Sequence, residues 1–306
     1  MAENQKALHE KEVATKQKAV GPWMIAWERF RKNKIAMTGG TLFLIIALAV
    51  IIVPMVSPFG LGDFVLENKE LAPSSKHWLG TDEQGRDVFF RLFLGGRISI
   101  LVGLMAAGVS VTLGSLIGGI AGFYGGRVDN LLMRFAEIVS SIPFLPTVIT
   151  ISSALMFRVS SGQKMYLVMF LIGILSWPGL ARIVRGQILS LREQEFMQAT
   201  EVLGLSDTSK IVKHLLPNVL AFIIVSATLG MASSILTEAG LSFLGMGVTP
   251  PTPTWGNMVE RARDTNVFRS MQWLWIPPGV MIMLTVVSIN LLGEGLRDAF
   301  DPKEIR

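Results

Sequence analysis

Six stretches of this chain are apolar enough to cross a bilayer, since about 20 such residues span the hydrocarbon core. They run from about Ile35 to Val56, Ile98 to Phe123, Leu131 to Phe157, Tyr166 to Ala181, Pro217 to Phe243 and Ile276 to Leu292. The fourth can extend into the polar turn behind it. Pro143 and Pro146 predict kinks in the third, because proline removes a backbone donor and crowds the preceding turn. The amino-terminal residues 1–20 are polar and charged, with neither an apolar core nor a small-residue cleavage site, so a cleavable signal peptide is not expected. Trp23, Trp27 and Phe30 then fall at i, i+4, i+7 among Arg29, Arg31, Lys32 and Lys34, the pattern of a helix lying in a membrane interface.

The interruption between the fourth and fifth stretches is of a different kind. From Leu189 to Val202 it is rich in helix formers, with apolar residues at Leu189, Phe196 and Leu203. Gly204 allows a left-handed stop, and Ser206 or Asp207 can cap a second short helix running to Leu216. Pro217 then opens the next span, where its missing amide hydrogen costs little. A compact helix–turn–helix knob is predicted, able to transmit a displacement that a floppy loop would absorb.

Basic residues assign the sides. With six spans both termini share one face, which collects 18 Lys and Arg against 10 on the other. The excess puts both termini and the knob in the cytoplasm.

Composition agrees with a membrane protein: half of the 306 residues are hydrophobic, 17% are charged, and the mean hydropathy is +0.49; soluble domains carry about 25% charged residues. The net charge of +5 does not imply nucleic-acid binding, because the cations flank apolar spans rather than interleaving with aromatics on one surface. Membrane lipid is the expected counter-ion. Absent cysteine excludes thiolate chemistry. His9, His77 and His214 are scattered, Asp82, Glu83 and Asp87 lack calcium-loop spacing, and no catalytic or phosphate-binding string occurs. No metal site or catalytic residue is expected, and any ATP hydrolysis must come from another chain.

Inside the spans, Ser110, Gly114, Gly118, Gly122 and Gly126 repeat at four-residue intervals, which lets helix backbones approach closely. Packing within this chain is the first reading, a dimer interface the second. The methionines read first as adaptable packing and second as the border of a pathway that tolerates varied side chains. Glu238 stands about 20 residues beyond Pro217, roughly 30 Å along the helix. An intramembrane carboxyl is a functional candidate by default, here for an outer gate or a site for a peptide amino group. A structural hydrogen bond or ion pair, for example with Arg97, is the preferred alternative. Arg134 and Glu137 at i, i+3 predict a stabilising pair. Trp255, Trp273 and Trp275 suggest interfacial anchors.

Several strings together resemble one family. Gln198-Ala199-Thr200, Gly204 and Leu216-Pro217 stand where membrane subunits of binding-protein-dependent ABC importers carry a Glu-Ala-Ala-like triplet, a glycine and, about a dozen residues on, Leu-Pro. His77 to Asp87, Gly96 to Ile100, Ala181 to Gly186, Leu236 to Pro251, Thr254 to Met258 and Asn290 to Pro302 are similar, in that order, to segments of the C-type permeases of oligopeptide and dipeptide importers. Gln198 departs from the usual Glu, Thr200 from the second Ala and His214 from an aliphatic residue.

The resemblance implies an all-α membrane protein with six transmembrane helices and the type I ABC importer permease fold. It divides the chain into a tail and interfacial helix (1–34), a first span and outer loop (35–97), a permease core (98–296) with its coupling loop (190–217), and a tail (297–306). It also implies a bacterial-type inner or plasma membrane, a B-type permease partner, two cytoplasmic ATPase subunits that bind ATP and Mg, and an extracytoplasmic solute-binding protein. That protein would meet the segments Lys69 to Arg97 and Gly245 to Trp275. Gln198, Ala199, Thr200, Gly204, Leu216 and Pro217 would form the ATPase-docking site. The implied cargo is a peptide; the alternatives are a nickel or metal-chelate importer or an ion-coupled secondary transporter. The last class more often shows inverted repeats and broken helices, neither of which is evident in the pattern.

Overall fold

The computed structural model describes residues 22–155 and 161–300. The polar stretch 1–20 with His9, the end of the third apolar stretch at Phe157 with Arg158, and residues 301–306 lie outside the described residues. Within them the regular elements are helices, with one isolated antiparallel bridge between Thr81 and Asp87. We number them α1 (Pro22–Lys32), α2 (Lys34–Val56), α3 (Val88–Tyr124), α4 (Gly126–Ser141), α5 (Phe144–Leu155), α6 (Ser161–Arg192), α7 (Glu195–Val202), α8 (Asp207–Phe243), α9 (Trp255–Val259), α10 (Thr265–Ser270) and α11 (Ile276–Phe300).

Five of these, α2, α3, α6, α8 and α11, are long and apolar enough to cross a membrane, and the pair α4 and α5 makes up to six if it counts as one span. That pair corrects the third predicted stretch. It is not one kinked helix but two, bent by 75°. The residue before a proline is pushed out of the α region, and Ile142, ahead of Pro143, takes φ −75° and ψ 123°. Pro146 falls in the first turn of α5, where an amide hydrogen has no helical partner anyway. A broken helix is therefore present, which removes one of the two arguments made against an ion-coupled carrier.

Other helices overrun their apolar cores. The helix α3 begins ten residues before Ile98, because the Asp87 carboxylate accepts the Phe90 amide at 2.7 Å and caps it. The helix α6 continues past Ala181 to Arg192, and α11 past Leu292 to Phe300. Side-chain polarity marks where a helix meets water, whereas backbone bonding and caps decide where it stops.

The crossing of α3 and α6 is close at three glycines of the series. A Cβ on Gly114 would stand 2.9 Å from the Leu180 side chain, on Gly122 2.9 Å from the Arg185 carbonyl, and on Gly118 it would collide with the Ala181 carbonyl. These three therefore pack within the chain, the first of the two readings. Gly126 leaves the series: it opens α4 at φ +54°.

At the amino-terminal end, α1 buries Ala26 and Phe30 against Ala36 and Ala299 and leaves Met24, Ile25 and Trp27 exposed. Asn33 caps α2 by accepting the Ala36 amide at 3.1 Å. Arg134 and Glu137 form the expected exposed pair at 3.0 Å.

Candidate functional site

The knob forms at the end of the bundle where α3 stops and α6 overruns its apolar core. After Arg192 a two-residue turn leads into α7, which Gly204 closes at φ +67°. The Leu205 amide donates to the Thr200 carbonyl at 3.1 Å and the Gly204 amide to Glu201 at 2.9 Å. This is the Schellman closure, in which a left-handed glycine satisfies the last carbonyls. Ser206 then caps the start of α8. The expected short helix ending at Leu216 is not separate. Instead α8 runs unbroken to Phe243 through a π-helical stretch, Lys210–Leu215, in which Leu216 donates to Ile211. This wider turn absorbs Pro217, whose ring would otherwise crowd the carbonyl four residues back. The Asn218 side chain donates to the His214 carbonyl at 2.6 Å.

An apolar cluster welds this knob to the bundle. Met197 of α7 meets Leu180, Val184 and Ile188 of α6 and Leu215, Val219 and Ile223 of α8. Arg192 donates to the Phe123 carbonyl at 3.1 Å, and Arg185 grips the Asp129 carboxylate with two nitrogens, so α6 is tied to the α3–α4 turn as well. The knob is thus packed on α6 and α8, and α6 is bonded to α3 and α4.

The six docking candidates do not converge. Gln198, Ala199 and Gly204 are exposed at the knob. Thr200 is 4% exposed, and its hydroxyl donates to the Met197 carbonyl at 2.6 Å, so it faces inward and belongs to the knob's interior. Leu216, half-buried, and Pro217, exposed, lie on the stem. They stand about 15 Å along α8 from its start at 1.5 Å per residue. Two exposed apolar residues of the knob lie outside the six candidates. Val202 is 89% and Leu203 75% exposed, an apolar pair just ahead of the stop glycine. The Schellman turn leaves Leu203, one of the apolar residues of this segment, facing out.

Between α3, α6 and α8 lies a cavity of about 90 Å³ bordered by the hydroxyls of Ser110, Ser176, Ser226, Ser233, Ser234 and Thr237. Ser176, Ser234 and Thr237 donate back to carbonyls one turn earlier. Ser110, first in the small-residue series, borders this cavity. A wider groove of about 400 Å³ runs between α6, α8 and the end of α11, past Ile183, Phe222, Leu229 and Arg297.

Toward the other end, Glu238 is fully buried. Ser242 donates to its carboxyl at 2.6 Å and Ser99 of α3 lies 3.5 Å from the other oxygen. The Ser99 hydroxyl accepts the Trp255 amide at 3.1 Å, and the Trp255 indole donates to the Leu92 carbonyl at 2.9 Å. The partners of Glu238 are these two serines and not Arg97, which is exposed. Trp255 is also corrected: at 0% exposure it is a core residue rather than an interfacial anchor, while Trp273 and Trp275 are half-buried. Replacing Glu238 with Ala should cost about 3 kcal/mol, by stranding two hydroxyls and opening a void. Glu238→Gln, which keeps an acceptor for Ser242, should cost under about 1 kcal/mol. Thermal unfolding in detergent checks this, and equal losses in both variants would remove the hub role.

Asp82, Glu83 and Asp87 are engaged by arginine, histidine and amide donors. His77 Nδ1 lies 2.9 Å from Asp87, the residue that caps α3.

Residues 114–306 match the family described as binding-protein-dependent transport system inner membrane component, and residues 21–73 match the N-terminal TM domain of oligopeptide transport permease C. The oligopeptide transport system permease protein OppC of Haemophilus influenzae is 41% identical over 92% of this chain and 89% of its own length. OppC of Bacillus subtilis is 39% identical over 94% of this chain and 91% of its own. The dipeptide transport system permease protein DppC of Bacillus subtilis is 39% identical over 91% and 85%.

Proposed function

Because the chain belongs to the family of binding-protein-dependent inner membrane transport components, we propose that it is a non-catalytic half of an ATP-driven import pathway for oligopeptides or dipeptides. The cargo follows from relatives named for those peptides at about 40% identity across nearly the whole chain. A B-type permease supplies the other half, two cytoplasmic ATPase subunits bind ATP and Mg, and a solute-binding protein delivers the peptide. The single observation that carries the coupling role is the knob, a short helix with an exposed apolar tip welded by Met197 and Leu215 to α6 and α8.

In this reading α4 and α5 together complete a sixth span, and both termini and the knob are cytoplasmic. The excess of basic residues on the knob's side supports the orientation. Gln198, Ala199 and Gly204, with Val202 and Leu203, seat in the ATPase groove; Leu216 and Pro217 stiffen the stem. Nucleotide binding draws the ATPases together, the knobs follow, and the rigid bundle rocks between inward- and outward-open states. Such a shift requires that the ATPases hold the two states with different affinity. The hydroxyl-bordered cavity suits a peptide main chain, because its acceptors and donors are indifferent to side-chain identity.

Reconstitution tests the proposal. In liposomes holding this chain, its B-type partner, the ATPases and the binding protein, labelled peptide should accumulate with ATP and stay at background without the ATPases. Uptake driven by an ion gradient in their absence would overturn it.

A further inference from the structure

We propose that Glu83 and Arg261 form a latch that makes two outer segments one landing platform for the solute-binding protein, with Arg91 passing the docking event to α3. The proposal rests on the reading above, in which both segments face that partner.

The two segments are far apart in sequence, and an ion pair joins them beside their apolar contacts. Glu83 sits in the turn that precedes α3. Here the Asp82 amide donates to the Arg86 carbonyl at 3.0 Å and the Gly85 amide to Asp82 at 2.9 Å. Gly85 has φ +72°, and a Cβ there would collide with the Val65 carbonyl, so the turn has little room to deform. Behind it Asp82 gathers two arginines, Arg86 at 2.7 Å and Arg91 at 3.4 Å, and all three side chains are less than a tenth exposed. Arg91 lies one turn inside α3 and also reaches the Pro251 carbonyl at 3.5 Å. The link across is Glu83 to Arg261 at 2.5 Å, with side chains 27% and 39% exposed. These groups surround a cavity of about 40 Å³.

Desolvated ion pairs are poor stabilisers compared with apolar packing, yet they are directional and fail sharply when one partner is lost. Apolar contacts already fasten this region, since Trp255 and Met258 pack with Val88 and Leu92. The charges add register between the turn and the segment bearing Arg261. A load placed on either is therefore felt at Arg91, and so at α3. A latch that served stability alone would change the melting temperature without changing how the complex answers its binding protein.

The experiment uses the full complex in nanodiscs with Glu83→Arg, Arg261→Glu and the double swap. ATP hydrolysis is measured with and without saturating peptide-loaded binding protein, and each rate is divided by that of the same variant alone. Each single reversal should lower this stimulation ratio roughly threefold, and the swap should regain at least about half of the loss, the signature of a coupled pair. A swap no better than the worse single variant, or singles with an unchanged ratio, would overturn the latch. Hydrogen exchange of the amides from residue 80 to 87, without binding protein, should rise in each single variant and return toward wild type in the swap. If that recovery is seen while the wild-type complex ignores its binding protein, the latch stands as a structural link and the docking role is overturned.

Discussion

Val202→Asp/Leu203→Asp is expected to leave the chain folded and to abolish ATP-driven uptake. Both side chains project from the knob with almost nothing of this chain against them, at 89% and 75% exposure. Charging them should alter stability by no more than about 0.5 kcal/mol, as for surface positions without special contacts. Two adjacent apolar side chains at the centre of a docking groove contribute roughly 1.4 kcal/mol or more each, so ATPase association should weaken on the order of a hundredfold. Co-purification of the ATPases with the variant, beside its melting temperature, separates the two effects. Thr200→Asp supplies the contrast. It buries a charge beside Met197 inside the cluster that holds the knob, and should lower the melting temperature instead. If the double aspartate variant kept its ATPases, the exposed pair would not be the docking tip.

Gly118→Val should prevent assembly of the bundle. A Cβ at this position runs into the Ala181 backbone carbonyl, which cannot turn aside as a side chain can, and Gly114 and Gly122 hold the neighbouring turns of α3 against α6 just as closely. The helices would have to part along the crossing, at a cost of at least about 3 kcal/mol, the upper end of ordinary overpacking. Gly108→Ala on the same helix meets nothing within 4 Å. It should be neutral or stabilising by about 0.5 kcal/mol through the unfolded state. Folded yield and melting temperature of the two variants side by side give the measurement, and equal behaviour would mean that the α3–α6 contact is looser than the structure has it.

These two positions differ in how readable they were. The spacing of Ser110, Gly114, Gly118 and Gly122 announced a close helix contact, and the structure supplied the partner, α6. Gly108 falls outside that series, but what stands across the gap from each glycine is visible only in the structure. At the knob the left-handed stop at Gly204 and the cap at Ser206 were legible, since both depend on the conformational freedom or side-chain oxygen of a single residue. The burial of Thr200 and the exposure of Leu203 were not. A helix of eight residues offers two turns, too few for periodicity to say which face is covered.

The sequence by itself determined the helical membrane class, the apolar cores of the five long apolar helices, the polar segment that forms the knob and the family, through apolar length, charge placement and an ordered series of short motifs. Only the tertiary structure decided that the third stretch breaks by 75°, that α8 runs unbroken through Pro217, and that Glu238 answers to Ser99 and Ser242 rather than Arg97. Composition and period act within about one helical turn and report where the chain is apolar. Partners of buried polar groups, and the path of a helix past a proline, depend on backbone carbonyls and side chains brought together from distant segments.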